Sequence, residues 1–251
     1  MITLQELSSY LDSLLSPVMF IEDCPNGLQL EGKREIKRVA TAVSASVAAI
    51  DQAIDLGADA LIVHHGLFWA KDPLPVLGPK KLKLEKLLSR GISLFAYHLP
   101  LDAHPQLGNN WKAAIDLGWT QLQPFGTFRK MSIGVRGTFV PLNIEEFQQK
   151  LEHYYGHSAH VALGGKKEIT SCGLISGGAH WSILEAADQS LDCYITGSFD
   201  EPIWDIAHER KINFFALGHY ATERIGVRAL AQELKNHFKI PTAFVDLPNP
   251  F

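Results

Sequence analysis

The chain has few cysteines, no long apolar run, no surplus of basic charge and none of the common nucleophile or phosphate-loop signatures. Three cysteines in 251 residues (Cys24, Cys172 and Cys193), without a CxxC spacing, argue against a disulfide framework and a zinc ribbon, and fit a reducing compartment. No apolar stretch approaches the roughly 18 residues of a membrane-spanning helix. The N-terminus lacks the charged head and cleavage site of an export signal, so the expected location is the cytoplasm. A formal net charge of −4 gives no electrostatic footprint for duplex DNA or an anionic membrane, which leaves a small molecule as the expected partner. The absence of a GxSxG elbow and of a GxxxxGK[ST] loop counts against a serine hydrolase and a P-loop NTPase.

What is present is a set of apolar runs that end in metal-type side chains. Ala60-Leu61-Ile62-Val63 leads into His64-His65, Ile92 to Tyr97 leads into His98-Leu99-Pro100-Leu101-Asp102, and Phe214 to Leu217 leads into Gly218-His219-Tyr220-Ala221-Thr222-Glu223. Segments of this kind alternate with helical patterns at Val47–Leu56, Lys80–Arg90, Trp181–Ser190, Pro202–Arg210 and Glu223–Phe238, as in an α/β fold with parallel strands. The expected fold is α/β: two similar lobes from an internal duplication, mainly parallel sheets, and a metal site between the lobes. Gly57–Val63 matches Ser190–Thr196, and Ile92–His98 matches Ile212–Gly218. The expected division is residues 1–124 and 125–251, with the segment at Ala243–Val245 returning to the first lobe's sheet. Thr3 and Glu6 read as a capping box for an amphipathic helix carrying Leu7, Leu11, Leu14 and Leu15. Asn143 reads as the start of another, with Glu146 completing its cap.

Sites in α/β sheets form at the carboxyl ends of strands, so residues distant in sequence can converge there. A turn into Gly66 would release His64 and His65 from strand alternation and let both face one cavity. Mixed imidazole and carboxylate donors favour zinc, iron or manganese over calcium or magnesium. Two such ions, bridged by a carboxylate, for which Glu223 is the natural choice, would account for all the donors. Each cluster also has a structural reading. The histidine pair can close a strand, Asp102 can form an Asx turn before Pro105, and Glu223 can sit against a helix N-terminus. His219 and Glu223 share a face only if the helix already includes His219. His98 and His104 flank Asp102 and could orient a ligand or contact substrate. His153, His157 and His160 read as a helix end, Gly177-Gly178 as a weak phosphate-cradle signal, and Phe68 and Trp69 beside the histidine pair as packing residues that could also stack on a flat base or wall off the site.

Asn26-Gly27-Leu28-Gln29, Val63-His64-His65-Gly66, His98 to Asp102 and Gly218 to Glu223 together resemble the Ngg-interacting-factor-three-like family, the type 2 homologues of GTP cyclohydrolase 1, over nearly the whole chain. The resemblance implies a dinuclear metal site with ligands His64, His65, Asp102, His219 and Glu223, and a ring-shaped homohexamer. It also implies a short form without an inserted domain, because roughly 45 residues from Gln123 to Glu168 are too few for one. The family name implies hydrolytic opening of a purine nucleotide ring by metal-activated water, with His98 as candidate proton shuttle. A dimetal nucleotide phosphoesterase and a non-catalytic metal-binding scaffold are the alternatives.

Overall fold

The computed structural model describes residues 1–251, and its contacts divide the chain into two units. Unit one comprises Met1–Leu101 with Gly226–Leu247, and unit two comprises Asp102–Ile225 with Pro248–Phe251. In chain order the elements begin with β1 (Ile2–Thr3), α1 (Leu4–Leu15), β2 (Gly27–Leu30), β3 (Glu35–Ile36), β4 (Val39–Ser44), α2 (Val47–Asp55), β5 (Ala60–His65), α3 (Gly78–Arg90), β6 (Ser93–Ala96) and α4 (Leu99–Ala103). There follow α5 (Asn109–Asp116), β7 (Thr120–Phe128), β8 (Met131–Asn143), α6 (Ile144–Tyr155), β9 (His160–Leu163), β10 (Glu168–Leu174) and α7 (Ile183–Asp188). The last elements are β11 (Cys193–Thr196), α8 (Pro202–Arg210), β12 (Asn213–Ala216), α9 (His219–Phe238) and β13 (Thr242–Phe244). No helix is long and apolar enough to cross a membrane.

Unit one is built on a five-stranded sheet of order β13-β4-β5-β6-β2, parallel except for β2. Its central strands β4, β5 and β6 are buried on both faces, as parallel strands require. Ala40, Ala42, Leu61, Val63, Leu94 and Ala96 join Ala49, Ile50 and Ala53 of α2 and Leu87 of α3 in one core. On the opposite face the Tyr97 hydroxyl donates to Asp12 of α1 at 2.7 Å and the Thr41 hydroxyl to the Val227 carbonyl of α9 at 3.0 Å. α1 begins at the expected capping box: Thr3 Oγ1 accepts the Glu6 N–H, and Glu6 accepts the Thr3 N–H at 2.7 Å.

Unit two carries a six-stranded sheet, β7-β8-β10-β11-β12-β9, whose central β10-β11-β12 pairs are parallel and whose flanking pairs are antiparallel. Alternation sends Cys172, Leu174, Cys193, Ile195 and Phe215 into one core with α6, and Tyr194, Phe214 and Ala216 into another with α7 and α8. The β7-β8 hairpin carries Pro124 in its first strand and Pro141 in its second. The expected boundary between residues 124 and 125 falls inside β7. α6 is capped by Asn143, but through the Glu145 N–H at 2.9 Å and not through Glu146.

The two units repeat one hydrogen-bonding scheme. Gly32-Lys33-Arg34-Glu35-Ile36 and Gly165-Lys166-Lys167-Glu168-Ile169 occupy matching places, the first leading into β4 and the second leading into and starting β10. Asp59, just before β5, accepts the backbone N–H groups of Lys37 (2.8 Å) and Arg38 (3.2 Å) and pairs with Lys33 at 3.1 Å. Asp192, just before β11, accepts those of Thr170 (2.8 Å) and Ser171 (3.1 Å) and pairs with Lys166 at 2.8 Å. The first helical N–H of α1 (Leu4) goes to the Arg34 carbonyl, and that of α6 (Ile144) to the Lys167 carbonyl, each at 2.8 Å. Burial alone would raise both carboxyl pKa values. The backbone donors and the lysine ammonium outweigh burial and hold them below the usual range.

Removing either carboxylate strands two backbone donors, so Asp59→Ala and Asp192→Ala are each expected to destabilise the protein by about 2 kcal/mol in urea at neutral pH. Because the folded pKa lies below the unfolded value of about 3.9, this stabilisation is present above that value and is lost as the pH falls through the folded pKa. The gap between wild type and variant should therefore close in acid. A gap constant from neutral pH down to about pH 2 would remove the carboxylates from this role.

Candidate metal centre

In unit one the candidate side chains arise where β4, β5 and β6 end. Register pairs Ser44 with His65 and Val63 with Ala96, so the carboxyl ends of three parallel strands present Ser44, His64-His65 and Tyr97-His98 together. Both histidines of the pair belong to β5 itself, and the release into a turn expected from Gly66 does not occur. Their rings nevertheless lie 4.7 Å apart between centroids, and His98 lies 4.8 Å from His64 and 5.6 Å from His65. One donor atom from each of His64, His65 and His98 falls within 4.8 Å of the others.

Each imidazole is held through Nδ1. His64, fully buried, has Nδ1 3.1 Å from the Tyr97 carbonyl, which can only accept, so Nδ1 carries the proton and Nε2 the lone pair. His65 Nδ1 lies 2.9 Å from the Ser44 hydroxyl, and His98 Nδ1 lies 2.5 Å from the Glu22 carboxylate. An Nδ1 held by an oxygen acceptor is the arrangement that orients an imidazole toward a metal and makes its Nε2 more basic.

Glu22 escapes sequence reading because a carboxylate in a Pro/Asn/Gly loop looks solvent-exposed. Its side chain is only 3% exposed. Its second oxygen accepts from Asn26 Nδ2 at 2.7 Å and from the Leu99 N–H at 3.1 Å, while Asn26 Oδ1 accepts the His98 N–H at 2.8 Å. Glu22 and Asn26 thus hold both the His98 ring and the start of α4. Gln29 works on the other side. Its side chain accepts the Leu67 N–H at 2.9 Å, and a Cβ on Gly66 would lie 2.3 Å from its Oε1, so any larger residue there would have to push the Gln29 amide off this contact.

In unit two, α9 includes His219 as its first residue, and His219 Nε2 lies 3.1 Å from Glu223 Oε1 one helical turn on. The His219 Nδ1 is 3.3 Å from the Ser198 hydroxyl, and Glu223 is buried. Gly177 has φ +67°, and a Cβ there would collide with Glu223 Oε1 and lie 3.2 Å from His219 Nε2. Gly177 therefore makes room for this carboxylate, while a Cβ on Gly178 would meet only His219 at ordinary contact distance. The Gly177 N–H donates to the Thr222 hydroxyl at 3.0 Å and its carbonyl accepts from Thr196 at 3.0 Å. Asp102, buried in α4, accepts from Asn109 at 2.8 Å and from the Ser176 hydroxyl at 2.9 Å. These partners fix its carboxylate from two sides, beyond a simple Asx turn. His104 accepts the Gln106 and Leu107 N–H groups on its Nδ1, and His157 contacts the Ser158 carbonyl beside it and the Pro250 carbonyl from far along the chain.

The fold and these clusters define a class: a duplicated α/β protein with imidazole and carboxylate groups at its strand ends that could hold a metal ion. The family described as Duf34/NIF3 (NGG1p interacting factor 3) matches residues 2–250, and the chain belongs to that family. Proteins called GTP cyclohydrolase 1 type 2 homolog are similar to it: one from Chlamydia muridarum is 47% identical and one from Yersinia pestis 41%, each match spanning 98% of both chains. Among solved structures, the protein ybgI, described as of unknown function, matches with a TM-score of 0.94 at 35% identity. A protein from Thermus thermophilus matches with 0.93 at 35%; each match covers 100% of both chains.

Glu22→Gln should place an amide where His98 Nδ1–H finds its acceptor, shifting the imidazole away from the Nδ1–H tautomer in nitrogen NMR spectra. Glu22→Ala should cost about 2 kcal/mol in urea, since the Leu99 N–H and the Asn26 amide lose their partner. An unchanged His98 tautomer in Glu22→Gln would show that Glu22 does not set it.

Proposed function

We propose that this protein is a metal-dependent hydrolase in which His64, His65, Asp102, His219 and Glu223 supply ligands to two divalent transition-metal ions. The observation that carries the reading is the set of imidazoles held through Nδ1, with donor atoms of His64, His65 and His98 gathered within 4.8 Å. The donor set fits: imidazole nitrogens with buried carboxylates suit zinc, iron or manganese. Ions so held would supply Lewis acidity, activating water near neutral pH and offsetting negative charge that develops on the substrate.

The protein's own groups would do the rest. His98 would take or give a proton at Nε2 while Glu22 retains the Nδ1 proton, so the ring keeps its orientation through the cycle. Trp69, edge-on to His98 with ring centroids 5.1 Å apart, limits access of water to that side. Ser176 and Asn109 would hold the Asp102 carboxylate in place. The names of the relatives support opening of a purine nucleotide ring, at the imidazole carbon with loss of formate, as the reaction. The same reading includes a cytoplasmic location, supported by three free cysteines, and assembly as a homohexamer.

Metal analysis by mass spectrometry on untagged protein tests it. About two ions per chain are expected, with loss in His64→Ala and Glu223→Ala and at least tenfold weaker binding in Gly177→Ala, whose methyl displaces the Glu223 carboxylate. His98→Ala should keep the metal and lose turnover. Formate release from GTP would support ring opening, and inorganic phosphate release would replace it with phosphoester hydrolysis. Metal without turnover of nucleotides would leave a scaffold, and no metal after reconstitution would overturn the proposal.

A further inference from the structure

Unit one contains a cavity of about 560 Å³ that starts at Gly66, directly after the histidine pair, and is walled by the segment running from Leu67 into α3. Its size lies in the range of small-molecule sites. Three features mark it as built for a ligand. Trp69, half-buried, belongs both to the cavity wall and to the histidine cluster, with its ring 5.1 Å from that of His98 and 6.2 Å from that of His65. Lys80 and Lys83, one turn apart at the start of α3, line the same space and are both half-buried. Asp72 is the single carboxylate among the lining residues, so the cavity keeps a positive surplus.

The wall is also anchored. The Leu67 N–H donates to Gln29 at 2.9 Å, the Ala70 N–H to the Asp23 carbonyl at 2.8 Å, and Lys80 Nζ to the Pro73 carbonyl at 3.3 Å while sitting 5.1 Å from the Phe68 ring. Prolines at positions 73, 75 and 79 stiffen it further. Burial pushes the Lys83 ammonium below its usual pKa, and Asp72 partly restores it. A half-desolvated cation in a largely apolar recess gains most from an incoming anion.

We infer that this cavity is a recognition subsite for a planar aromatic ligand carrying negative charge, of nucleotide size, with Trp69 as the stacking wall and Lys83, assisted by Lys80, as the anion contact. Resting on the hydrolase reading, it places recognition of the nucleotide next to the histidines, at residues separate from the metal ligands. An indole face accepts any flat heteroaromatic ring, and the two ammonium groups select for phosphate or carboxylate substituents.

The test uses the whole chain stripped of metal with a chelator, so that binding at the ions cannot contribute. Titration calorimetry with GTP, guanosine and inorganic tripolyphosphate should give measurable GTP binding, at least tenfold tighter than either fragment. Lys83→Ala should weaken GTP roughly tenfold and leave guanosine unchanged, and Trp69→Ala should weaken both GTP and guanosine. Circular dichroism would verify that each variant is folded, with Lys83→Arg as the conservative rescue. GTP binding that is insensitive to both substitutions, or that appears only after metal is restored, would overturn the inference and leave the hydrolase proposal standing. Metal content at wild-type level in both variants is expected. If the wild type takes up no metal yet binds GTP with this pattern, the hydrolase reading falls and the subsite stands.

Discussion

The in-register pairing of β4, β5 and β6 is the constraint on which the histidine cluster depends. Because Ser44 faces His65 across one pair and Val63 faces Ala96 across the next, the first polar residues after three apolar runs arrive at a common edge without any sequence proximity. A slip of one residue would send His64 to the other face of the sheet and remove the Tyr97 carbonyl from its Nδ1. The strand interiors resist such a slip, since Leu61, Ile62, Leu94 and Phe95 are completely buried and would have to exchange faces. Packing energy spread over the sheet therefore holds donor groups that would not otherwise gather, given how costly it is to crowd imidazoles out of water.

The repeated scheme around Asp59 and Asp192 separates what the two units share from what they do not. Each carboxylate ties the approach to its first parallel strand to the start of its second, and each does so with a lysine from a Gly-Lys pair. At the opposite, carboxyl ends the units diverge. Where β5 ends in His64-His65, β11 runs out into Gly197 and Ser198; where β6 is followed by Tyr97-His98, β12 is followed by Leu217-Gly218. Unit two instead places its donors on α4 and α9, and clears space for them with Gly177. The scaffold has been kept and the chemistry redistributed.

Legibility in the sequence follows the same division. Parallel strands buried on both faces read as plain apolar runs, so β4, β5, β6, β11 and β12 and the polar residues that end them can be picked out from composition alone. The capping box at Thr3 is equally plain because its two partners sit at a fixed spacing. The β7-β8 hairpin is hidden by Pro124, Gly126, Gly134 and Pro141 and by a register shift, which together erase the alternation that would reveal it. Glu22 and Gln29 are hidden for another reason. Their roles are set by distant partners, His98 for Glu22 and Leu67 for Gln29, and local sequence carries no trace of that. Both histidines staying within β5 while their rings remain neighbours is likewise a matter of side-chain torsions that periodicity does not encode.

The chain order of unit one has a consequence for synthesis. Its sheet is completed by β13, whose Thr242, Ala243 and Phe244 pair with Val39, Ala40 and Thr41 of β4, some two hundred residues earlier. Until the ribosome has released that last strand, β4 presents an open apolar edge, while the intervening residues 102–225 form a contiguous stretch able to close on itself first. Nascent unit one therefore waits, unfinished and adhesive, for its final strand. A translational pause or premature stop late in the message would expose this edge to aggregation or to chaperones, even though every donor residue had already been made.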